Sequence, residues 1–70
     1  MPKAKQVLVA LNRDGWVEVR RKGSHRFLIR GDAYQTWAYH DGDDLGKTDL
    51  RLIGKRFGYS VEALYRMLRG

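Results

Sequence analysis

The chain has 70 residues, no cysteine and a formal net charge of +6, with 14 Lys and Arg side chains against 8 Asp and Glu. This length predicts a single domain, residues 1–70, whose small core excludes a large enclosed substrate cavity. The lack of cysteine excludes disulfides and thiolate metal sites and is typical of a reducing compartment, so we expect a cytoplasmic protein. No segment has the pattern of a signal peptide or the apolar length of a membrane span.

The charged side chains are unevenly distributed along the chain. Residues 1–30 carry eight basic and two acidic side chains, whereas residues 31–50 carry one basic and five acidic. Residues 51–70 carry five basic and one acidic. The basic first half favours a partner that is nucleic acid or an acidic protein, and the alternative is a solvated surface that aids solubility.

The first predicted element is an amphipathic helix over residues 3–13. Apolar residues recur there every three or four positions, which is the spacing of one buried helix face. Gly15 is expected to cap its C-terminal end, because glycine adopts a left-handed backbone conformation at little cost. The predicted buried stripe consists of Ala4, Val7, Leu8 and Leu11.

Three strands joined by tight turns are predicted next. Residues 16–21 form the first strand, with Val17 and Val19 on one face. Residues 25–30 and 34–39 form the second and third strands, and glycine lies in both connecting turns. Short connections of this kind predict an antiparallel meander.

Two helices are predicted after an acidic loop at residues 40–44. Thr48 is expected to cap the first, with Gly58 at its end, and Ser60 is expected to cap the second. The predicted buried positions of the two helices are Leu50, Ile53, Phe57, Val61, Leu64, Tyr65 and Leu68. A helix, three antiparallel strands and then helices make a two-layer α+β domain, which resembles double-stranded-RNA-binding domains in architecture.

The acidic loop has a superficial likeness to a metal-binding loop. It contains Asp41, Asp43 and Asp44, but their spacing does not match an EF-hand, and a solvated turn is the simpler interpretation. No other cluster has metal-ligand spacing, and no glycine-rich phosphate loop of the Walker or Rossmann type occurs. The sequence therefore predicts neither a metal site nor a cofactor.

His25 is the candidate catalytic residue. Histidine is the side chain whose ordinary pKa lies near neutrality, which suits the proton transfers of RNA cleavage. Neighbouring cations would stabilise the extra negative charge that develops on the phosphate. The alternative is a structural histidine packed at a strand end, since His25 has the same parity as Phe27 and Ile29 and one face of this strand is expected to be buried.

The basic turn around His25 is the candidate RNA-binding surface. Alternation places Arg20 and Arg21 on opposite faces of the strand, so the basic side chains of this turn cannot all contact one RNA backbone. The alternative is again a solvated surface. The candidate RNA-binding residues are Arg20, Arg21, Lys22, Ser24 and Arg26.

Two further kinds of side chain allow two interpretations each. His40 is either a second acid–base group or, as we favour, a loop residue that hydrogen-bonds to the turn. The two tryptophans and four tyrosines either stack on unpaired bases or form the core, and the small size of the chain favours the core for most of them.

The residues around these motifs resemble the HicA-type toxins, which are small mRNA interferases of toxin–antitoxin pairs. The strongest element of the resemblance is Asp14-Gly15-Trp16, followed by Val19-Arg20 and Lys22-Gly23-Ser24-His25. A weaker element comprises His40, Leu45, Leu50-Arg51, Ile53, Gly58 and Ser60. The family's Val-Pro-x-His pattern is replaced here by Trp37-Ala38-Tyr39-His40, and its Gly-Thr by Thr48-Asp49.

This resemblance implies a function. It implies a double-stranded-RNA-binding-like fold, cleavage of mRNA by His25, and inhibition by a HicB-type antitoxin. Because the sequence has no cluster with metal-ligand spacing and no run of membrane-spanning length, we expect the cleavage to be metal-independent and expect no membrane partner. Two other functions remain compatible with the residues: a non-catalytic module that binds double-stranded RNA or other nucleic acid, and a protein-interaction domain for an acidic partner.

Overall fold

The computed structural model describes residues 1–70. Its three strands form one antiparallel sheet in the order β1-β2-β3. The predicted α+β architecture is confirmed, and it is consistent with a double-stranded-RNA-binding-like fold. No helix is both long enough and apolar enough to cross a membrane. The elements in chain order are α1 (Ala4–Arg13), β1 (Val17–Lys22), β2 (His25–Arg30), β3 (Ala33–Trp37), α2 (Lys47–Phe57) and α3 (Val61–Arg69).

Helix α1 buries the stripe that its periodicity predicts. Ala4, Val7, Leu8 and Leu11 are all buried in the core. The chain leaves the helix through Gly15, whose φ of +99° is left-handed, as its predicted capping role requires. Apolar spacing and a C-terminal glycine were therefore sufficient to define this helix.

The sheet presents one face to the helices and leaves the other open. On β2 the fully buried residue is Leu28, whereas Phe27 and Ile29 lie on the opposite face and are only partly buried. The expectation that the face carrying Phe27 and Ile29 is the buried one is therefore wrong. Both faces of β2 carry apolar side chains, so alternation alone could not identify the covered face.

Strand β1 departs from simple alternation. The pairing of β1 with β2 shifts register between Glu18 and Arg20, so Val19 is the extra residue of a β-bulge. Val17 and Val19 are 57% and 51% exposed, and neither joins the core. The bulge interrupts the period of two on which the prediction of a shared valine face depended.

The two C-terminal helices begin at different caps. Helix α2 follows Gly46 and not the predicted Thr48, because Asp49 accepts a hydrogen bond from the Gly46 N–H at 3.3 Å. Helix α3 begins after Ser60 as predicted, and the Ser60 hydroxyl oxygen accepts from the Ala63 N–H at 3.0 Å. On α3 the prediction that Tyr65 is buried is wrong, because its side chain is 41% exposed.

Aromatic side chains join the sheet to the helices. The ring of Phe57 on α2 meets Trp16 edge-to-face at 4.8 Å and Trp37 of β3 at 6.1 Å between centroids. Both tryptophans are almost fully buried, as the core interpretation predicts. The helices thus cover the Leu28 and Trp37 face of the sheet, and the face that carries His25 stays open.

Candidate functional site

His25 opens strand β2 on the uncovered face of the sheet. It pairs with Lys22 across the hairpin, whose turn passes through Gly23 at φ +60°. The His25 side chain is exposed and makes no hydrogen bond or ion pair within the protein. It is therefore exposed and not packed as a structural histidine at a strand end.

Two of the predicted RNA-binding cations share this open face with His25. Lys22 lies directly opposite His25, and Arg20 lies opposite Phe27. The guanidinium carbon of Arg20 sits 5.5 Å from the centroid of the Phe27 ring, which is a cation–π distance. Neither cation is paired with a carboxylate, so their charge remains available to an anion.

Arg26 has a different environment. Its side chain is only 20% exposed and lies between two carboxylates, at 3.5 Å from Glu18 and 3.4 Å from Asp41. The guanidinium thus links β1 to the acidic loop, and its charge is already compensated. Of the predicted phosphate-binding cations, Arg26 is the one whose contacts are structural.

Arg21 and Ser24 line a cleft at the edge of the sheet, with a volume of about 220 Å³. The register places Arg21 on the face opposite to Arg20, as the sequence alternation predicted. The fold therefore divides the predicted RNA-binding residues between an open face and a cleft. The full cleft lining is Arg21, Ser24, Arg26, Tyr39, His40 and Asp41.

His40 is exposed and begins the acidic loop. Its backbone N–H donates to the carboxylate of Asp43 at 2.9 Å, and its carbonyl accepts from the Asp43 N–H at 2.9 Å. This reciprocal pairing matches the predicted hydrogen bonding of His40 to the turn. His40 lines the cleft, whereas His25 is not among the residues that line it.

Two aspartates of the loop hold it against the rest of the protein, and the third binds within the loop. Asp44 pairs with Lys3 at 2.8 Å and Asp41 pairs with Arg26, while Asp43 binds the backbone of His40. The hydrogen bond from Lys3 and its charge lower the pKa of the Asp44 carboxyl. No three His, Cys, Asp or Glu side chains are grouped so that they could hold a metal ion.

A polar cluster that the sequence did not reveal lies at the other end of the sheet. Tyr59 donates to Asp14, and Arg30 donates to the same carboxylate oxygen at 3.0 Å. The Trp16 indole N–H donates to the Tyr59 hydroxyl at 3.0 Å, and burial together with the Asp14 hydrogen bond raises the pKa of Tyr59. The Asp14-Gly15-Trp16 motif, which supplies two residues of the cluster, was the only part of it that the sequence analysis singled out.

This cluster is separate from the histidine. Arg30 ends the strand that His25 begins, and five residue steps along a strand span roughly 17 Å. Asp14, Trp16 and Tyr59 therefore fix α1 against the sheet and the α2–α3 connection, and the motif contributes structure at a distance from His25.

Comparison with known proteins identifies the family. A family model described as "HicA toxin of bacterial toxin-antitoxin" matches residues 4–59. This span contains α1, the whole sheet and α2, and it includes both His25 and the acidic loop. A search of curated proteins gives no significant match. Because the model covers most of the chain, this protein belongs to the HicA toxin family of toxin–antitoxin systems.

Proposed function

We propose that this toxin is a metal-independent endoribonuclease that cleaves mRNA, with His25 as its catalytic residue. The observation that carries the proposal is the exposed imidazole of His25 on the open sheet face, directly opposite Lys22 and close to Arg20. A titratable group beside two uncompensated cations provides proton transfer and phosphate binding on one surface.

The chemistry requires one proton to leave the ribose and one to reach the leaving group. His25 takes the proton from the 2′-hydroxyl, and the 2′-oxygen then attacks the adjacent phosphorus. As the new bond forms, the bond from phosphorus to the 5′-oxygen breaks, and that oxygen takes a proton from His25 or from water. The products are a 2′,3′-cyclic phosphate and a free 5′-hydroxyl.

The cations stabilise the negative charge that develops on the phosphate in this reaction. Lys22 and Arg20 lie on the His25 face and stabilise the pentacoordinate phosphate, which carries more negative charge than the substrate. Arg21 and Ser24 line the cleft at the sheet edge and bind a neighbouring phosphate of the same strand. These contacts supply affinity that is independent of sequence.

The partner that inhibits this activity is a HicB-type antitoxin. Membership of a toxin–antitoxin family supports a protein partner of this kind. An inhibitor that covers His25 and its cationic neighbours would exclude RNA by occupying the same exposed surface.

The test is cleavage of a purified mRNA in excess EDTA by the wild-type protein and by the His25→Ala variant. Cleavage by the wild type alone, with 2′,3′-cyclic phosphate ends, supports the proposal. Arg69→Ala is a matched control, because Arg69 is an exposed cation at the end of α3.

Two results would contradict the proposal. If His25→Ala cleaves as fast as the wild type, or still arrests growth when expressed alone, His25 is not the catalytic residue. If neither protein cleaves but both retain RNA on a filter, the chain is a non-catalytic nucleic-acid-binding module.

A further inference from the structure

The open face of the sheet carries an aromatic pair beside the histidine. The rings of Phe27 on β2 and Tyr34 on β3 lie 5.9 Å apart between centroids, inclined at 32°. Tyr34 is 54% exposed, although tyrosines in a chain of this size are usually needed for the core. On the β1 side of Phe27, the guanidinium carbon of Arg20 lies over the Phe27 ring, 5.5 Å from its centroid.

The register places this pair and His25 on one surface. His25 and Phe27 are two positions apart on β2, so their side chains leave the same face. Thr36 lies opposite Phe27, and Tyr34 lies opposite Ile29. The surface thus runs without interruption from the imidazole across the two rings to the far edge of the sheet.

The charge of this surface selects an anionic partner. Its basic side chains are Arg20, Lys22 and His25, while Glu18 is paired with Leu28 and leaves the opposite face. A surface that combines cations with exposed flat rings matches a ligand that combines phosphates with exposed flat bases.

Single-stranded RNA has this combination, whereas a duplex does not. In a double helix the faces of the bases are stacked on one another and cannot reach a protein ring. Double-stranded-RNA-binding domains recognise the shape and backbone of the duplex, for which an aromatic sheet face has no use. The fold alone therefore does not predict the ligand of this surface.

We propose that the open sheet face binds single-stranded RNA by stacking a base on Tyr34 and Phe27, which places an adjacent phosphate at His25. This inference deepens the proposed nuclease function and rests on it for the role of the bound strand. Tyr34 is a binding and positioning residue in this scheme, and Arg20 and Lys22 hold the backbone between the stacked base and the imidazole.

The test measures binding separately from cleavage. A fluorescein-labelled 2′-O-methyl RNA oligonucleotide, which has no free 2′-hydroxyl to react, is titrated in excess EDTA as a single strand and as a duplex. We expect Tyr34→Ala to weaken single-strand binding by about 5- to 100-fold, the usual effect of removing one stacking ring. Tyr34→Phe should bind as the wild type does, because it keeps the ring.

Two controls isolate stacking from a structural effect. Tyr65→Ala removes a similarly exposed ring from α3, away from the sheet, and should leave binding unchanged. An oligonucleotide containing 2-aminopurine reports stacking directly, because its fluorescence is quenched by the wild type and by Tyr34→Phe but should not be quenched by Tyr34→Ala.

The outcomes separate this inference from the nuclease proposal. Unchanged single-strand binding by Tyr34→Ala, or duplex binding as tight as single-strand binding, overturns the stacking surface and leaves the exposed apolar face to a protein partner. Loss of binding in Tyr34→Ala supports it, even if the wild type cleaves no RNA. In that last case the nuclease proposal fails and the single-strand-binding surface stands.

Discussion

Asp14 accepts a hydrogen bond from Tyr59, a residue 45 positions further along the chain. The contact joins the end of α1 to the segment between α2 and α3, and Arg30 of β2 completes it by donating to both residues. Three parts of the fold therefore meet at one carboxylate. The Asp14 and Trp16 side chains of the Asp14-Gly15-Trp16 motif thus have a structural role at this meeting point.

The first prediction concerns this cluster. Tyr59→Phe removes the hydroxyl that donates to Asp14 and accepts from Trp16. We expect the free energy of unfolding to fall by about 1 to 2 kcal/mol, since a hydrogen bond to a charged group is involved in a partly exposed setting. Urea denaturation measures this change, and Tyr65→Phe is the matched control. A loss equal to that of the control would show that the cluster adds nothing.

A second prediction concerns Gly54 in the middle of α2. A Cβ atom at this position would overlap the carbonyl oxygen of Tyr59, so the α2–α3 turn would have to move. Gly54→Ala should therefore destabilise the protein by about 1 to 3 kcal/mol, although alanine favours helix. Gly42→Ala is the control, because no atom lies within 4 Å of the corresponding Cβ. Equal melting temperatures for the two variants would contradict the steric overlap between a Cβ at position 54 and the Tyr59 carbonyl oxygen.

The third prediction tests which face of the sheet is covered. Leu28 is fully buried, whereas Val17 on the open face is 57% exposed. Leu28→Ala should cost about 2 to 5 kcal/mol through lost burial and the cavity it leaves. Val17→Ala should cost less than about 1 kcal/mol, because little of its surface is removed from water. Similar losses for the two variants would mean that both faces are buried in solution.

The fourth prediction is a pH dependence at the junction of α1 and the acidic loop. Lys3 lowers the pKa of Asp44 below its ordinary value of 3.8, so the folded protein favours the ionised carboxylate more than the unfolded chain does. The stabilisation is fully present above pH 3.8 and is lost as the pH falls through the lower folded pKa.

Comparison of the wild type with Asp44→Asn measures this contribution. The difference between their melting temperatures should be small near neutrality and sensitive to salt, because the pair is exposed. It should shrink further as the pH is lowered through the acid range. A difference that grows in acid would give the opposite sign and exclude the pair as its source.

The fifth prediction distinguishes the cations by the salt dependence of RNA binding. Lys22 has no carboxylate partner, so Lys22→Ala should weaken binding and reduce the slope of log affinity against log salt by about 1. Arg26 already contacts Glu18 and Asp41, and Arg26→Ala should leave the slope nearly unchanged while lowering stability. Titrations at several salt concentrations, together with unfolding curves, test both statements. Equal slope changes for the two variants would contradict the assignment of Lys22 to RNA binding and of Arg26 to a structural role.

Local pattern was enough for the type and order of the elements of this fold, although β3 ends at Trp37 and not at the predicted residue 39. The spacing of Ala4, Val7 and Leu8 defines α1, and glycines at the turns divide the strands. Strand β2 begins at His25 and ends at Arg30, as the sequence predicts. These features depend on residues a few positions apart, and such interactions are encoded in the sequence whatever the chain contacts later.

The sequence pattern did not predict which face of the sheet the helices cover. Leu28 on one face of β2 and Phe27 on the other are both apolar, so the period of two fits either arrangement. The bulge at Val19 removed the remaining signal from β1. The covered face is visible only in the tertiary structure, where Phe57 packs against Trp16 and Trp37 in the core.

Some features of the candidate site also follow from local sequence, and others depend on tertiary structure. The sequence by itself determined that His25 follows a basic turn at the start of a strand, because strand and turn are local structures. Tertiary structure alone decided that His25 shares an open face with Tyr34, that Arg26 is neutralised by Asp41, and that His40 lines a separate cleft. Those relationships join residues distant in sequence, and they exist only once the core has fixed how the sheet, the helices and the acidic loop pack.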